Sequence, residues 1–326
     1  MLRYTVLAAL CLPLLAQAGT PLAPMDVYAL QWADSPVLSP DGRQLVYERQ
    51  FFDLMKDVRR SNLWLLDSST GAAQPLTTGS VNDGQVAWSP DAQRIAYVSR
   101  DNGKAQIYVR WIASGATARV SQLEYGPSNL AWSPDGKQLA YTAFVPMETK
   151  ALATLPAAPK GAEWAPPPTL IEQTLYRADG AGFLEPGHTH LFVIPADGGA
   201  PRQLTTGEFD VFGPPAWSAD GKRLYLSANR DADIDFDPLE SELYALTLAD
   251  ATLERLTDRD GPDQAPRISP DGKHLAWLGF DDHGLSYANA QLSVMDLASF
   301  GNTLDIVAQR DSLARRRHSK ALPMAC

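Results

Sequence analysis

The sequence predicts an all-β chain, a β-propeller built of four-stranded blades, and three observations carry that reading. The tetrapeptide Ser-Pro-Asp-Gly or a near copy recurs five times, starting at Ser39, Ser89, Ser133, Ser218 and Ser269. These serines stand 50, 44, 85 and 51 residues apart, the span of one blade, with the longest interval holding an insertion. Between Ser35 and Asn302 turns and alternating apolar strands dominate, and no helical period of note interrupts them. Five repeats are visible, and they are read as an incomplete ring.

Taken in chain order, residues 1–18 carry one positive charge at Arg3, an apolar core from Val6 to Leu15 and the small-x-small ending Ala16-Gln17-Ala18. That pattern is a secretory signal peptide, with cleavage expected before Gly19 and a periplasmic or secreted mature chain. Its apolar core is too short to cross a membrane, and no later stretch approaches the ~20 residues a span needs. With Cys11 removed, Cys326 alone remains and no internal disulfide is expected. Residues 19–34 form a lead-in, where Pro24 to Ala33 reads as one amphipathic turn or short helix with Asp26 as its cap ahead of Val27, Leu30 and Trp32.

Blades are expected over residues 35–302. In four of the joints proline holds the φ that a type I turn requires, with Ala219 in its place in the fourth joint; aspartate bonds its own backbone in all, and glycine, or Ala92 in the second joint, takes the left-handed position from which the hairpin resumes. An apolar residue precedes each joint, namely Leu38, Trp88, Trp132, Trp217 or Ile268, and a period-2 strand such as Arg94-Ile95-Ala96-Tyr97 follows. Third strands such as Asn62–Leu66, His190–Ile194 and Glu242–Leu246 are apolar on both faces, as strands between stacked sheets are. Fourth strands carry Leu76-Thr77, Val120-Ser121, Leu204-Thr205 and Leu256-Thr257. The fifth unit lacks such a pair in register, so residues 303–326, basic and without apolar period, read as a disordered tail foreign to the fold. A rim insertion is expected over 144–186, proline-rich at first and then a turn on extended chain around Tyr176–Phe183.

A formal charge of −10, from 28 basic and 38 acidic residues, argues against nucleic acid and against an anionic membrane surface, and favours cationic or peptidic ligands. Asp231, Asp233, Asp235 and Asp237 alternate along one loop but lack the glycine and downstream glutamate of a helix-loop-helix calcium site, so they read as solvated acids. His188 and His190 have no third ligand near in sequence, and they are assigned no metal. Trp88, Trp132 and Trp217 hold identical blade positions and are expected to pack between blades. No cofactor, catalytic residue or metal ligand is assigned to this chain.

The order of the joints, Tyr176-Arg177-Ala178-Asp179-Gly180, His190-Leu191-Phe192-Val193 and Ser227-Ala228-Asn229-Arg230 resembles the N-terminal propeller of the prolyl oligopeptidase family. Its acylaminoacyl-peptidase and dipeptidyl-peptidase branch is the nearest in pattern. The resemblance implies a propeller seated as a lid over an α/β-hydrolase domain with a Ser-Asp-His triad, restricting entry to peptides and orienting them. The sequence has no G-x-S-x-G nucleophile elbow and no run of alternating strands and helices after the blades. The expectation is therefore a gating propeller, inactive alone, of an exported serine peptidase, with peptides or a hydrolase domain missing from this chain as partners. The alternative is a stand-alone periplasmic propeller of the TolB kind acting by protein binding. Arg177 and Arg230 are the candidate substrate contacts, since rim arginines bind peptide carboxylates, and ion pairs with neighbouring aspartates are the competing role. An unfinished ring is expected to leave two apolar faces bare, each of roughly 500 Å² and worth about 12 kcal/mol at ~25 cal/mol per Å².

Overall fold

In the computed structural model, residues 21–305 are described except 101–102, 148–155, 163–164, 166–169, 232–233, 286 and 299–302. The expected signal peptide and residues 306–326 lie outside the described residues. Five four-stranded antiparallel sheets follow one another along the chain. The first blade contains β1 (Trp32–Leu38), β2 (Gln44–Asp53), β3 (Val58–Asp67) and β4 (Ala73–Pro75). The second contains β5 (Asp83–Trp88), β6 (Arg94–Ser99), β7 (Gln106–Trp111) and β8 (Thr117–Arg119). In the third, β9 (Pro127–Trp132) and β10 (Gln138–Pro146) precede a small hairpin of β11 (Arg177–Ala178) and β12 (Gly182–Phe183), then β13 (Gly187–Pro195) and β14 (Arg202–Gln203) complete the sheet. The fourth contains β15 (Val211–Trp217), β16 (Arg223–Ala228), β17 (Glu242–Thr247) and β18 (Leu253–Arg255). The fifth contains β19 (Asp263–Ile268), β20 (His274–Gly279), β21 (Gln291–Asp296) and β22 (Thr303–Asp305).

Each joint works as its residues dictate. The Ser133 hydroxyl donates to Asp135 Oδ1 at 2.7 Å and accepts the Gln138 backbone N–H at 2.9 Å. Asp135 Oδ1 also accepts the Lys137 N–H, and Gly136, at φ 67°, donates to the Ser133 carbonyl. The same serine-aspartate bond recurs in the other four joints. Ala92 occupies the glycine position of the second joint at φ 57°, where its Cβ is strained.

The tryptophans before the joints lock one blade to the last. Trp88 Nε1–H donates to the Val37 carbonyl at 3.0 Å, Trp132 to Ala87 at 3.0 Å and Trp217 to Ala131 at 3.1 Å, each crossing to the first strand of the preceding blade. A buried indole thus supplies both apolar area and a satisfied donor, the packing role that their shared position predicts.

Four apolar clusters follow, one between each successive pair of blades, centred on Leu63 and Ile95, on Ile107 and Leu139, on Leu191 and Leu224, and on Leu243 and Leu275. Among the described residues no such cluster joins the fifth blade to the first, so the described blades form an open ring. Burial records this directly. In the inner blades β6, β10 and β16 each bury five consecutive residues, because neighbours cover both faces. In the fifth blade β20 alternates, with Leu275 and Trp277 buried against the fourth blade and Leu278 on the uncovered face.

Four boundaries differ from those the sequence predicts. The fifth blade has a fourth strand after all, since β22 pairs with β21 through Thr303↔Met295, Leu304↔Val294 and Asp305↔Ser293. In that register the expected Thr or Ser position falls on Val307, so the hydroxyl signature is lost from the sequence. The first blade begins at Trp32 rather than at residue 35, because Trp32 pairs with Gln50. The lead-in helix is a 3-10 turn over Pro24–Ala29 in which Asp26 sits at the third position and accepts the Ala23 N–H at 2.7 Å, while Trp32 belongs to the sheet. Finally, Phe144, Val145 and Pro146 stay in β10, paired with Thr189, His188 and Gly187, so the insertion begins at Met147.

Candidate functional site

The insertion leaves the third blade between its second and third strands and returns at Gly187, so it stands at one end of that sheet. Its last part is the β11–β12 hairpin, turned by Asp179-Gly180 with Gly180 at φ 77°, where only glycine is unstrained. The hairpin is closed by a Leu184 N–H bond to the Tyr176 carbonyl, and the Tyr176 and Phe183 rings lie 6.1 Å apart. Opposite it stands the loop after β16, carrying Ile234, Asp235 and Phe236. Between them opens a cleft of about 370 Å³, with Ile171, Leu175, Tyr176, Phe183 and Leu184 on one wall, Ile234 and Phe236 on the other, and His188 and Pro186 at its base. Phe183 is 64% exposed and Phe236 87%, so the cleft presents apolar surface to solvent.

Polar groups in the cleft are few and mostly acidic, namely Glu172, Glu208 and Asp235, with Gln173 and His188 beside them. His188 Nδ1 lies 3.3 Å from Asp210 Oδ2, and Asp210 is held by the Thr189 backbone N–H at 2.6 Å. The Asp210 carboxylate accepts from Nδ1 and so fixes the orientation of the ring. Nε2 is buried and has no hydrogen-bond partner among the described residues. Behind it His190 is buried against Phe209, and desolvation, with the neighbouring His188, lowers its pKa, so it stays neutral at physiological pH.

The two arginines singled out in the sequence part company. Arg177 is exposed on the hairpin, and Arg230 lies over Phe209 and Tyr244, 5.0 and 5.3 Å from their ring centres. Among the described residues neither forms an ion pair with a carboxylate, and Arg230 is held by aromatic faces. The row of loop acids also divides. Asp231 approaches Arg255 at 3.6 Å, Asp235 lines the cleft, Asp237 meets Glu240 and Asp260, and Asp233 lies outside the described residues. Burial pushes the Glu240 carboxyl up to about 7, and Glu242, Asp237 and Asp231 push it the same way against the Gly261 N–H. Sequence reasoning missed Ile234, Phe236 and Glu240. The available signal was the apolar and aromatic content of an otherwise acidic loop, in Ile234-Asp235-Phe236-Asp237.

Two families match successive parts of the chain, the TolB beta propeller domain over residues 29–154 and the dipeptidyl peptidase IV N-terminal region over 177–282. Among curated relatives, the uncharacterized peptidase YuxL of Bacillus subtilis is 29% identical over 205 residues, covering 63% of this chain and 30% of that protein. Dipeptidyl-peptidase 5 of Porphyromonas gingivalis is 24% identical over 297 residues, 86% of this chain and 42% of its own length. The chain thus spans less than half of these relatives. Of solved structures, an acylaminoacyl peptidase from Pyrococcus horikoshii superposes with a TM-score of 0.63 at 15% identity, over 86% of this chain and 40% of that one. A TolB-like protein from Agrobacterium tumefaciens gives 0.53 at 20%, over 84% and 80%. At these identities the structural likeness carries the propeller fold. No helix among the described residues is long and apolar enough to cross a membrane.

Proposed function

We propose that this chain, an N-terminal propeller portion of the prolyl oligopeptidase family, receives the free amino end of a peptide in the rim cleft and presents it to an α/β-hydrolase domain that performs the hydrolysis. The observation that carries this reading is the cleft's chemistry. Exposed apolar walls suit a peptide's side chains, the carboxylates of Glu172, Glu208 and Asp235 suit an ammonium group, and His188, anchored by Asp210, lines the same cleft. The sequence contains no nucleophile elbow, so bond cleavage is assigned to the partner domain rather than to the propeller. The signal-peptide pattern of residues 1–18 supports a place for this work outside the cytoplasm.

The test is calorimetry of the full chain with an apolar dipeptide amide such as Ile-Phe-NH2 and its N-acetyl form. The free amine should bind at least about tenfold more tightly, and His188→Ala should remove most of that binding. Equal binding of the two forms, or none, refutes the reading. A second reading, a propeller acting through protein contacts, draws on the TolB match over residues 29–154. It predicts no discrimination between the two peptides, and a protein partner whose binding survives His188→Ala.

A further inference from the structure

We propose that Asp237, Glu240 and Asp260 bind a divalent cation of the calcium type, joining the loop after β16 to the loop that leads into the fifth blade. One carboxylate oxygen from each lies within 4.8 Å of the other two. Oxygens on opposite sides of a calcium ion, each at about 2.3–2.6 Å, stand about 5 Å apart, so the three fit one coordination sphere as they are placed.

The second observation is Glu240 itself. The residue is only 6% exposed. Its Oε2 accepts the Gly261 N–H at 2.7 Å, whereas Oε1 is buried with no hydrogen-bond partner among the described residues. An ionised oxygen at that depth is unfavourable unless a positive group meets it. The arginines of this rim are already engaged, Arg255 with Glu242 at 2.7 Å and Asp258 at 2.9 Å, and Arg259 with Asp263 at 3.1 Å and Asp281 at 3.2 Å.

Three hard oxygen donors select calcium or magnesium over zinc or copper. Calcium is favoured because donors from two separate loops form an irregular set, which its flexible shell accepts and magnesium's near-ideal octahedron does not. Water and backbone carbonyls complete the shell. Asp237 directly follows Phe236, so a cation here fastens the loop that forms one wall of the cleft. The site stands on its own geometry, whatever the cleft receives.

The experiment titrates CaCl2 into the full chain stripped with EDTA, by calorimetry and by thermal melting, with MgCl2 and NaCl at matched ionic strength. One calcium per chain is expected, with the melting temperature rising by about 3–6 °C at saturating calcium. Glu240→Gln and Asp260→Asn should each weaken binding at least about tenfold. Asp260 is exposed, so its variant folds and keeps the test decisive if Glu240→Gln does not. No calcium heat and an unshifted melt would mean that a proton satisfies Glu240, and would overturn the proposal. Equal responses to the three salts, or binding untouched by Asp260→Asn, would overturn it too.

Discussion

Leu275 and Leu278 lie three residues apart on β20 and point to opposite faces of the fifth blade, which makes them a direct probe of the open ring. Leu275 is fully buried in the cluster with Tyr225, Leu243 and Trp277, while Leu278 is 46% exposed and faces Leu292 across the ladder. Truncation of Leu275 to alanine should cost about 2–5 kcal/mol, the range for a buried leucine whose site cannot collapse. For Leu278 about half of the side chain is already in water. Since full burial is worth about 1.5–3 kcal/mol, its truncation should cost about 1 kcal/mol. Urea unfolding followed by tryptophan fluorescence gives both values, and binding of an apolar dye should fall in Leu278→Lys. Equal costs at the two positions would mean that the outer face is covered, and the open-ring description would fail.

Other consequences are quicker to state. Ala92→Gly should stabilise the chain by roughly 0.5–1 kcal/mol, because it relieves a left-handed alanine at φ 57°, and a loss of stability by the same unfolding assay would count against the joint geometry. Trp217→Phe should cost about 1–2 kcal/mol, since it removes the bond to the part-buried Ala131 carbonyl. The serine hydroxyls of the joints hold Asp41, Asp135, Asp220 and Asp271 below the ordinary carboxylate value. Their contribution is full above the unfolded value of 3.8 and is lost as pH falls through the folded values, so the urea midpoint should drop below pH 4. Asp263 has the opposite sign. Burial raises it to about 6 against the pull of Arg259, so its folded form holds the proton more tightly and stability declines as pH climbs from about 4 to about 6. Asp263→Asn should flatten that decline, and an unchanged pH profile would refute the assignment.

The blades were legible because the joint repeats and because each of its residues has one physical task. Serine, aspartate and glycine each make the bond or hold the angle their chemistry requires, and the tryptophan before three of the joints docks on the preceding blade. Strand β22 is where the side-chain signature fails. Its backbone pairs like the other fourth strands, but the next hydroxyl position is Val307, so a side-chain signature vanished while the hydrogen-bonding register did not. The site was less legible. Arg177 and Arg230 stood out by charge, yet the partners of Arg230 are Phe209 and Tyr244, and nothing in the spacing of residues 209, 230 and 244 announces that stack. Asp260 approaches Asp237 and Glu240 only through the packing of the fourth and fifth blades.

The location of the bound peptide tests the functional reading most directly. A dipeptide amide carrying a photoreactive benzoyl-phenylalanine, irradiated with the full chain and mapped by mass spectrometry, should label residues of the 170–186 insertion and of the loop bearing Ile234 and Phe236. Labelling elsewhere on the blades, or labelling undiminished by excess unmodified dipeptide, would contradict it.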